Sequence, residues 1–178
     1  MFERNANPES PSENGEEIDF DAVIASIMTV IPTGKSVLTV SHEQVRTGLL
    51  VRWVQQCSEN PPLLSVALPT GESVIPIIRN SRRFTLCQVA DDDTFLTRKF
   101  ARPHEPGEDP FMGLSITIGN AHVPIINRAR SFLECLLVGH LDLGVDHRLY
   151  VGKVIGGGML NEDATPSTNG MAPNSESP

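Results

Sequence analysis

The sequence predicts a mainly β fold, an antiparallel β-barrel with peripheral helices. Seven short segments rich in β-branched or large apolar residues are each bounded by turn residues, which is the mark of strands. Only three stretches carry helix signals. The apolar pattern is confined to one continuous region between two polar ends, so a chain of 178 residues makes one domain with a real core.

In chain order, "DFDAVIASIM" (19–28) opens with a helix, because Asp19 or Asp21 can cap it before an apolar run. "KSVLTV" (35–40), "LLVRWV" (49–54) and "LLSVAL" (63–68) follow as strands. Along the second, Leu50, Arg52, Val54 and Gln56 point to one face while Leu49, Val51, Trp53 and Gln55 point to the other. An arginine thus interrupts an otherwise apolar face. It is either a solvated rim residue or an anion contact, since arginine is rarely buried unpaired. "SENPP" then turns the chain, with Pro61 and Pro62 ending the strand pairing and Ser58 and Asn60 able to bond local backbone.

"SVIPIIRNS" (73–81) reads as a short helix with Ser73 as cap and Pro76 early enough to be tolerated. "FTLCQV" (84–89) is the next strand. "DDDTFLTRKFAR" (91–102) is a helix whose three leading aspartates suit its N-terminus. "LSITI" (114–118), "SFLECLLVG" (131–139) and "HRLYVGKVI" (147–155) complete the strands. Residues 1–17 and 161–178 are expected to be disordered tails around a domain of residues 18–160, and the Asn, Pro, Ser and Glu bias of the C-terminal end begins as early as Gly156.

A formal net charge of -8 argues against nonspecific nucleic-acid binding, which needs a basic groove. The N-terminus has no apolar stretch behind a basic start, and no run is long enough to span a bilayer, so a cytoplasmic protein is expected. Cys57, Cys87 and Cys135 are odd in number and lack C-x-x-C spacing, which suggests buried or half-buried thiols, with neither a disulfide framework nor a zinc site. His42, His104, His122 and His140 have no spacing suited to a metal. Glu134 and Cys135 are expected on opposite strand faces, in ordinary packing.

Four signatures occur in order: "G-x-x-x-R-W-V-x-Q-x-S-x-N-P-P-L-x-S-V-A" from Gly48, "I-x-x-S-x-x-F" from Ile78, "F-L-E-C" from Phe132 and "D-H-R-L-Y-V-G-K-V" from Asp146. In this order and spacing they resemble the flavin reductase-like family, with its FMN-binding split barrel of antiparallel Greek-key type. The resemblance implies a homodimer of six-stranded barrels that binds FMN, or sometimes FAD, near the subunit interface. It also implies either NAD(P)H-dependent reduction of flavin for a flavin- or electron-accepting partner, or a flavoredoxin-like electron carrier. A dimeric barrel that has lost flavin is the third reading, because fold does not fix function.

The site residues the resemblance implies lie around Leu50, Val51, Arg52 and Trp53, with Ser58, Ser73, Ser81 and Arg82 as further cofactor contacts. Several depart from the family pattern. The usual threonine is Leu50, the serine or asparagine two residues on is Arg52, a further threonine falls on Val74 beside Ser73, and the glycine after Ser81 is Arg82. Arg52 can replace the lost hydroxyls, because a guanidinium offers a planar fork of charged donors to a phosphate. Arg79, Arg82 and Arg83 form a local basic cluster, consistent with a phosphate site or a solvated turn. Asp146 and His147 match a "G-D-H" signature in which Val145 stands for glycine. His147 is the catalytic candidate beside flavin and nicotinamide, unless the pair only fixes the entry to the last strand. No Rossmann "G-x-G-x-x-G" is present, so nicotinamide recognition would be built on the barrel.

Overall fold

The structure is a computed structural model that describes residues 19–161 except Pro103, Glu105 and Pro106. The expected tails lie outside the described residues apart from Asn161, whose amide donates to the Ala129 carbonyl at 2.7 Å. The chain divides after Pro32 into two units.

The first unit holds α1 (Phe20–Thr29). Asp19 is its cap, its side chain accepting from the Ala22 amide at 3.1 Å, while Asp21 sits in the first turn where negative charge is favourable. Phe20, Val23, Ile24, Ile27 and Met28 recur at helical spacing and so share one face.

The second unit contains β1 (Ser36–His42), β2 (Val45–Val51), β3 (Val54–Glu59), β4 (Pro62–Pro69), α2 (Val74–Ser81), β5 (Arg83–Gln88) and α3 (Thr94–Phe100). β6 (Ile116–Ile118), β7 (Pro124–Ile126), β8 (Ser131–Asp142) and β9 (His147–Met159) follow. One antiparallel sheet has the order β2-β1-β5-β8-β9-β4-β3, and β6 pairs with β7 in a separate ribbon. The two edges of the large sheet, β2 and β3, are consecutive in sequence and joined only by Arg52 and Trp53. Three Cα–Cα steps span at most about 11 Å, so the sheet must roll far enough to bring these two strand ends together. The barrel is therefore split along β2 and β3, where the ladder stays open and a two-residue bridge closes it.

This corrects the expectation of one strand over residues 49–54. Backbone pairing with β1 ends at Val51, opposite Ser36, and pairing with β4 begins at Val54, opposite Val66. Leu49 and Val51 still face the core as alternation requires.

β1 is buried on both faces. Leu38 and Val40 join Val66, Leu68, Ile78, Phe84 and Tyr150 inside the barrel, while Val37 packs outward with Cys87, Leu96, Phe100, Phe111 and Ile126 under α3 and β7. Thr39 points to the outer layer, and its hydroxyl is satisfied by the Pro124 carbonyl at 2.6 Å. α3 can lie so close to β2 because of Gly48, where a Cβ would come 2.9 Å from a ring carbon of Phe100. Asp93 caps α3 through the Leu96 amide at 3.0 Å.

Four further expectations change. The strand over 114–118 shortens to β6, and β7 was not foreseen because "PII" is too short to carry a period. Gly156, Gly157 and Gly158 belong to β9, although their composition reads as tail. They pair against β8, where a Cβ on Gly157 would lie 2.7 Å from the Phe132 carbonyl oxygen. Cys57 is exposed on β3. Glu134 and Cys135 do lie on opposite faces of β8, Cys135 in the barrel core and Glu134 in the outer layer against Ala121, and both are buried because both faces are covered.

Candidate functional site

The bridge that closes the split also forms one wall of a cavity of about 290 Å3. Leu50 and Val51 enter from the end of β2, Ala67 and Pro69 from β4, Ala101 from just beyond α3, and His147 from the start of β9. Arg52 and Trp53 complete it. The elements fix these positions through backbone pairing. The Trp53 carbonyl accepts the Ala67 amide at 3.0 Å, and His147 lies opposite Pro69 in the ladder.

Trp53 and His147 meet as a ring pair, with centroids 4.7 Å apart and planes inclined by 52°. The His147 Nδ1 lies 3.1 Å from a carboxylate oxygen of Asp146, which orients the imidazole. The Asp146 carbonyl meanwhile accepts the Thr70 amide at 2.8 Å, so this residue also fixes the entry to β9. The pair thus fixes the entry to β9 and leaves the His147 ring on the cavity wall.

Arg52 is exposed, and among the described residues its guanidinium has no hydrogen bond or ion pair. Among the described residues, no acidic one lines the cavity. The remaining walls are apolar, apart from the two rings. The cavity thus offers a flat apolar and aromatic surface with one permanent positive charge at its mouth, a donor set that fits a planar ring system bearing an anionic tail.

Five sequence-derived candidates come together here: Leu50, Val51, Arg52, Trp53 and His147. Four do not. Ser58 is on β3 opposite Leu63. Ser73 is exposed at the start of α2 and makes no capping bond. The Ser81 hydroxyl donates within its own helix to the Ile77 carbonyl at 2.9 Å and accepts the Arg83 amide at 3.3 Å. Arg82 takes the left-handed conformation (φ 57°) that the family's glycine would adopt freely, and its side chain donates to the Leu137 carbonyl at 2.9 Å. Ala67, Pro69 and Ala101 were missed, because small residues on strands carry no chemical signal in a sequence.

Glu134, 2% exposed, accepts the Ala121 amide at 2.7 Å and holds the turn before β7. Burial pushes the Cys87 thiol up to about 11, against a weaker opposing bond from the Ile126 amide. Burial, with the Glu134 charge beside it, pushes Cys135 up to about 12. Both thiols are buried. Among the described residues, no group of His, Cys, Asp and Glu could hold a metal ion.

A family model described as the flavin reductase like domain matches residues 28–171. The chain belongs to this family. Among its flavin reductase-like relatives, the reductase component of a 4-nitrophenol 4-monooxygenase/4-nitrocatechol 2-monooxygenase from Rhodococcus opacus is 28% identical over 123 residues, covering 69% of this chain and 64% of that protein. Diflavin flavoprotein A 1 of Synechocystis is 26% identical over 129 residues, covering 71% of this chain. The chain spans only 22% of that protein's length. In three dimensions it is similar to the NADH:FAD oxidoreductase of Streptomyces globisporus, with a TM-score of 0.71 and 24% identity over 84% of this chain and 89% of that one. That likeness establishes the split-barrel fold of the flavin reductase-like domain.

Proposed function

We propose that this flavin reductase-like chain binds a flavin carrying a phosphate, FMN in preference to FAD, at the β2–β3 bridge. In this reading it works as an NAD(P)H-dependent flavin oxidoreductase. The observation that carries the reading is the unpaired guanidinium of Arg52 at the mouth of an apolar cavity that also holds the Trp53–His147 ring pair. When bound, the flavin supplies acceptance of hydride from a nicotinamide and its onward delivery as electrons.

The chain's own residues bind, orient and exclude water. Leu50, Val51 and Trp53 cover the apolar ring system, while Arg52 takes the phosphate in place of the hydroxyls the family usually presents. His147, held by Asp146, would offer an imidazole N–H from the cavity wall to negative charge on a bound flavin. A cavity of about 290 Å3 lies at the low end of small-molecule sites, roughly 300–1,000 Å3, so a second subunit completes the cleft. Leu133, Leu136, Val138 and Leu141 of β8 and Ile155 of β9 are exposed apolar residues available for that contact. A partner enzyme would take up the reducing equivalents, the relation that the name of the Rhodococcus opacus relative describes for that protein.

No helix among the described residues is long and apolar enough to cross a membrane; the proposed setting is the cytoplasm. The test is anaerobic mixing of FMN-loaded protein with NADH and with NADPH. Loss of the oxidised flavin band with either nucleotide supports the oxidoreductase. Flavin that stays oxidised with both, but is reduced by another electron-transfer protein, assigns a flavoredoxin-like carrier instead.

A further inference from the structure

A second cavity, of about 340 Å3, lies where the β1–β2 turn, the C-terminal end of α2 and the β6–β7 turn converge. It shares no lining residue with the first. Ser41, His42 and Glu43 line it from β1 and its turn, Asn80 and Arg83 from the α2–β5 junction, and His122 from the β6–β7 turn. Apart from one acid, this is a wall of hydrogen-bond donors.

Those donors are unspent. Among the described residues, the side chains of Ser41, His42, Asn80 and His122 make no hydrogen bond, and Arg83 makes no ion pair. The one bond of the half-buried Arg83 guanidinium is a long one, 3.4 Å from Nη1 to the Ala121 carbonyl. A guanidinium has five N–H donors, and one drawn away from water without an anion is costly. An imidazole, an amide and a hydroxyl each present a donor whatever the pH, so the cavity can encircle several oxygens of one oxyanion.

The backbone gives an independent sign. Only three non-glycine residues among those described have φ in the left-handed region: Glu43 (55°), Arg82 (57°) and His122 (59°). Two line this cavity and the third joins Ser81 to Arg83 at its edge. Such conformations cost about 1–2 kcal/mol for a residue other than glycine and gather at ligand sites.

We propose that this cavity binds a phosphate group, either as the free ion or as a phosphate monoester, with Arg83, His42 and His122 as its principal contacts. The site is separate from the proposed flavin site and stands whether or not flavin binds. Glu43, the only acid among the described lining residues, opposes the free ion and is placed to accept a hydroxyl of an ester.

The unfolding midpoint, measured in chloride and in inorganic phosphate or glycerol phosphate at equal ionic strength, tests this. A ligand that binds only the folded state raises the midpoint with concentration. Phosphate should raise it in the wild type and equally in Arg52→Ala, which leaves the second cavity intact. Arg83→Gln and His122→Asn should each weaken the response about tenfold or more in concentration, and Glu43→Gln should strengthen the response to the free ion. Asparagine accepts the left-handed backbone at residue 122, so that variant folds even if Arg83→Gln does not. A larger response to glycerol phosphate assigns the monoester, and an equal or smaller one the free ion. An unmoved midpoint would overturn the proposal. So would a response that disappears in Arg52→Ala and persists in His122→Asn, because the anion would then sit in the first cavity.

Discussion

Arg52 is the residue on which the proposed site turns, and its sequence context exposed it. An arginine in an apolar strand needs a reason, and the family pattern puts a serine or asparagine there. What the sequence hid was that Arg52 and Trp53 do not belong to a strand at all, because ladder ends depend on partners far away in the chain. The reading of Ser81 and Arg82 as cofactor contacts has a different difficulty: spacing places a residue but not its bonds. The Ser81 hydroxyl donates to the Ile77 carbonyl, and one of the Arg82 donors goes to the Leu137 carbonyl. If Arg52 holds the flavin phosphate, Arg52→Ala should weaken FMN by about 1.5–3 kcal/mol, the usual scale for a hydrogen bond to a charged group. Arg52→Lys should recover only part of this, since an ammonium keeps the charge and loses the planar fork. Riboflavin, lacking the phosphate, should bind both proteins alike. Equal losses for FMN and riboflavin in a titration would mean that Arg52 props the bridge instead of holding phosphate.

At the scale of elements, strands whose pattern repeats were legible and those held by contact alone were not. β4, β5, β8 and the first part of β9 alternate or run apolar, and were expected close to where they lie. β7 and the glycine end of β9 exist because long-range partners accept them, and a propensity argument sees only their weakness. The helix of the DDD segment was legible through its cap, and Asp93 also anchors a second element, since Arg128 Nε lies 2.6 Å from its carboxylate. Burial alone would raise this carboxyl, but the Leu96 amide and Arg128 outweigh it, and the group is held below its ordinary value. A carboxyl depressed in the folded state stabilises above its unfolded pKa, about 3.9, and that contribution is lost as the pH falls through the folded value. Asp93→Ala should therefore lower stability at neutral pH by about 0.5–2 kcal/mol. The difference from wild type should shrink in acid. Thermal unfolding across the acid range measures it, and a difference that is constant with pH would remove the charge from the explanation.

For the whole molecule, seven sheet strands joined edge to edge by two residues place an aromatic ring, an arginine and a histidine at one opening, and leave apolar side chains of β8 uncovered. Alternation along β8 turns Leu136 and Val138 outward while Cys135 and Leu137 stay in the core. A homodimer through this face should give twice the chain mass in light scattering at low micromolar concentration, and Val138→Lys should yield monomers, as charge is disfavoured in an interface core. A monomer mass for the wild type would leave the cavity as half a site. The central claim, flavin at the β2–β3 bridge, has a built-in reporter because Trp53 is the only tryptophan in the chain. FMN titrated into the protein should quench Trp53 fluorescence in a saturable way, ending at one flavin per chain, with Arg52→Ala shifting the curve about tenfold or more to higher concentration. Tryptophan emission that falls only in proportion to flavin absorbance, with no saturation in either protein, would contradict it.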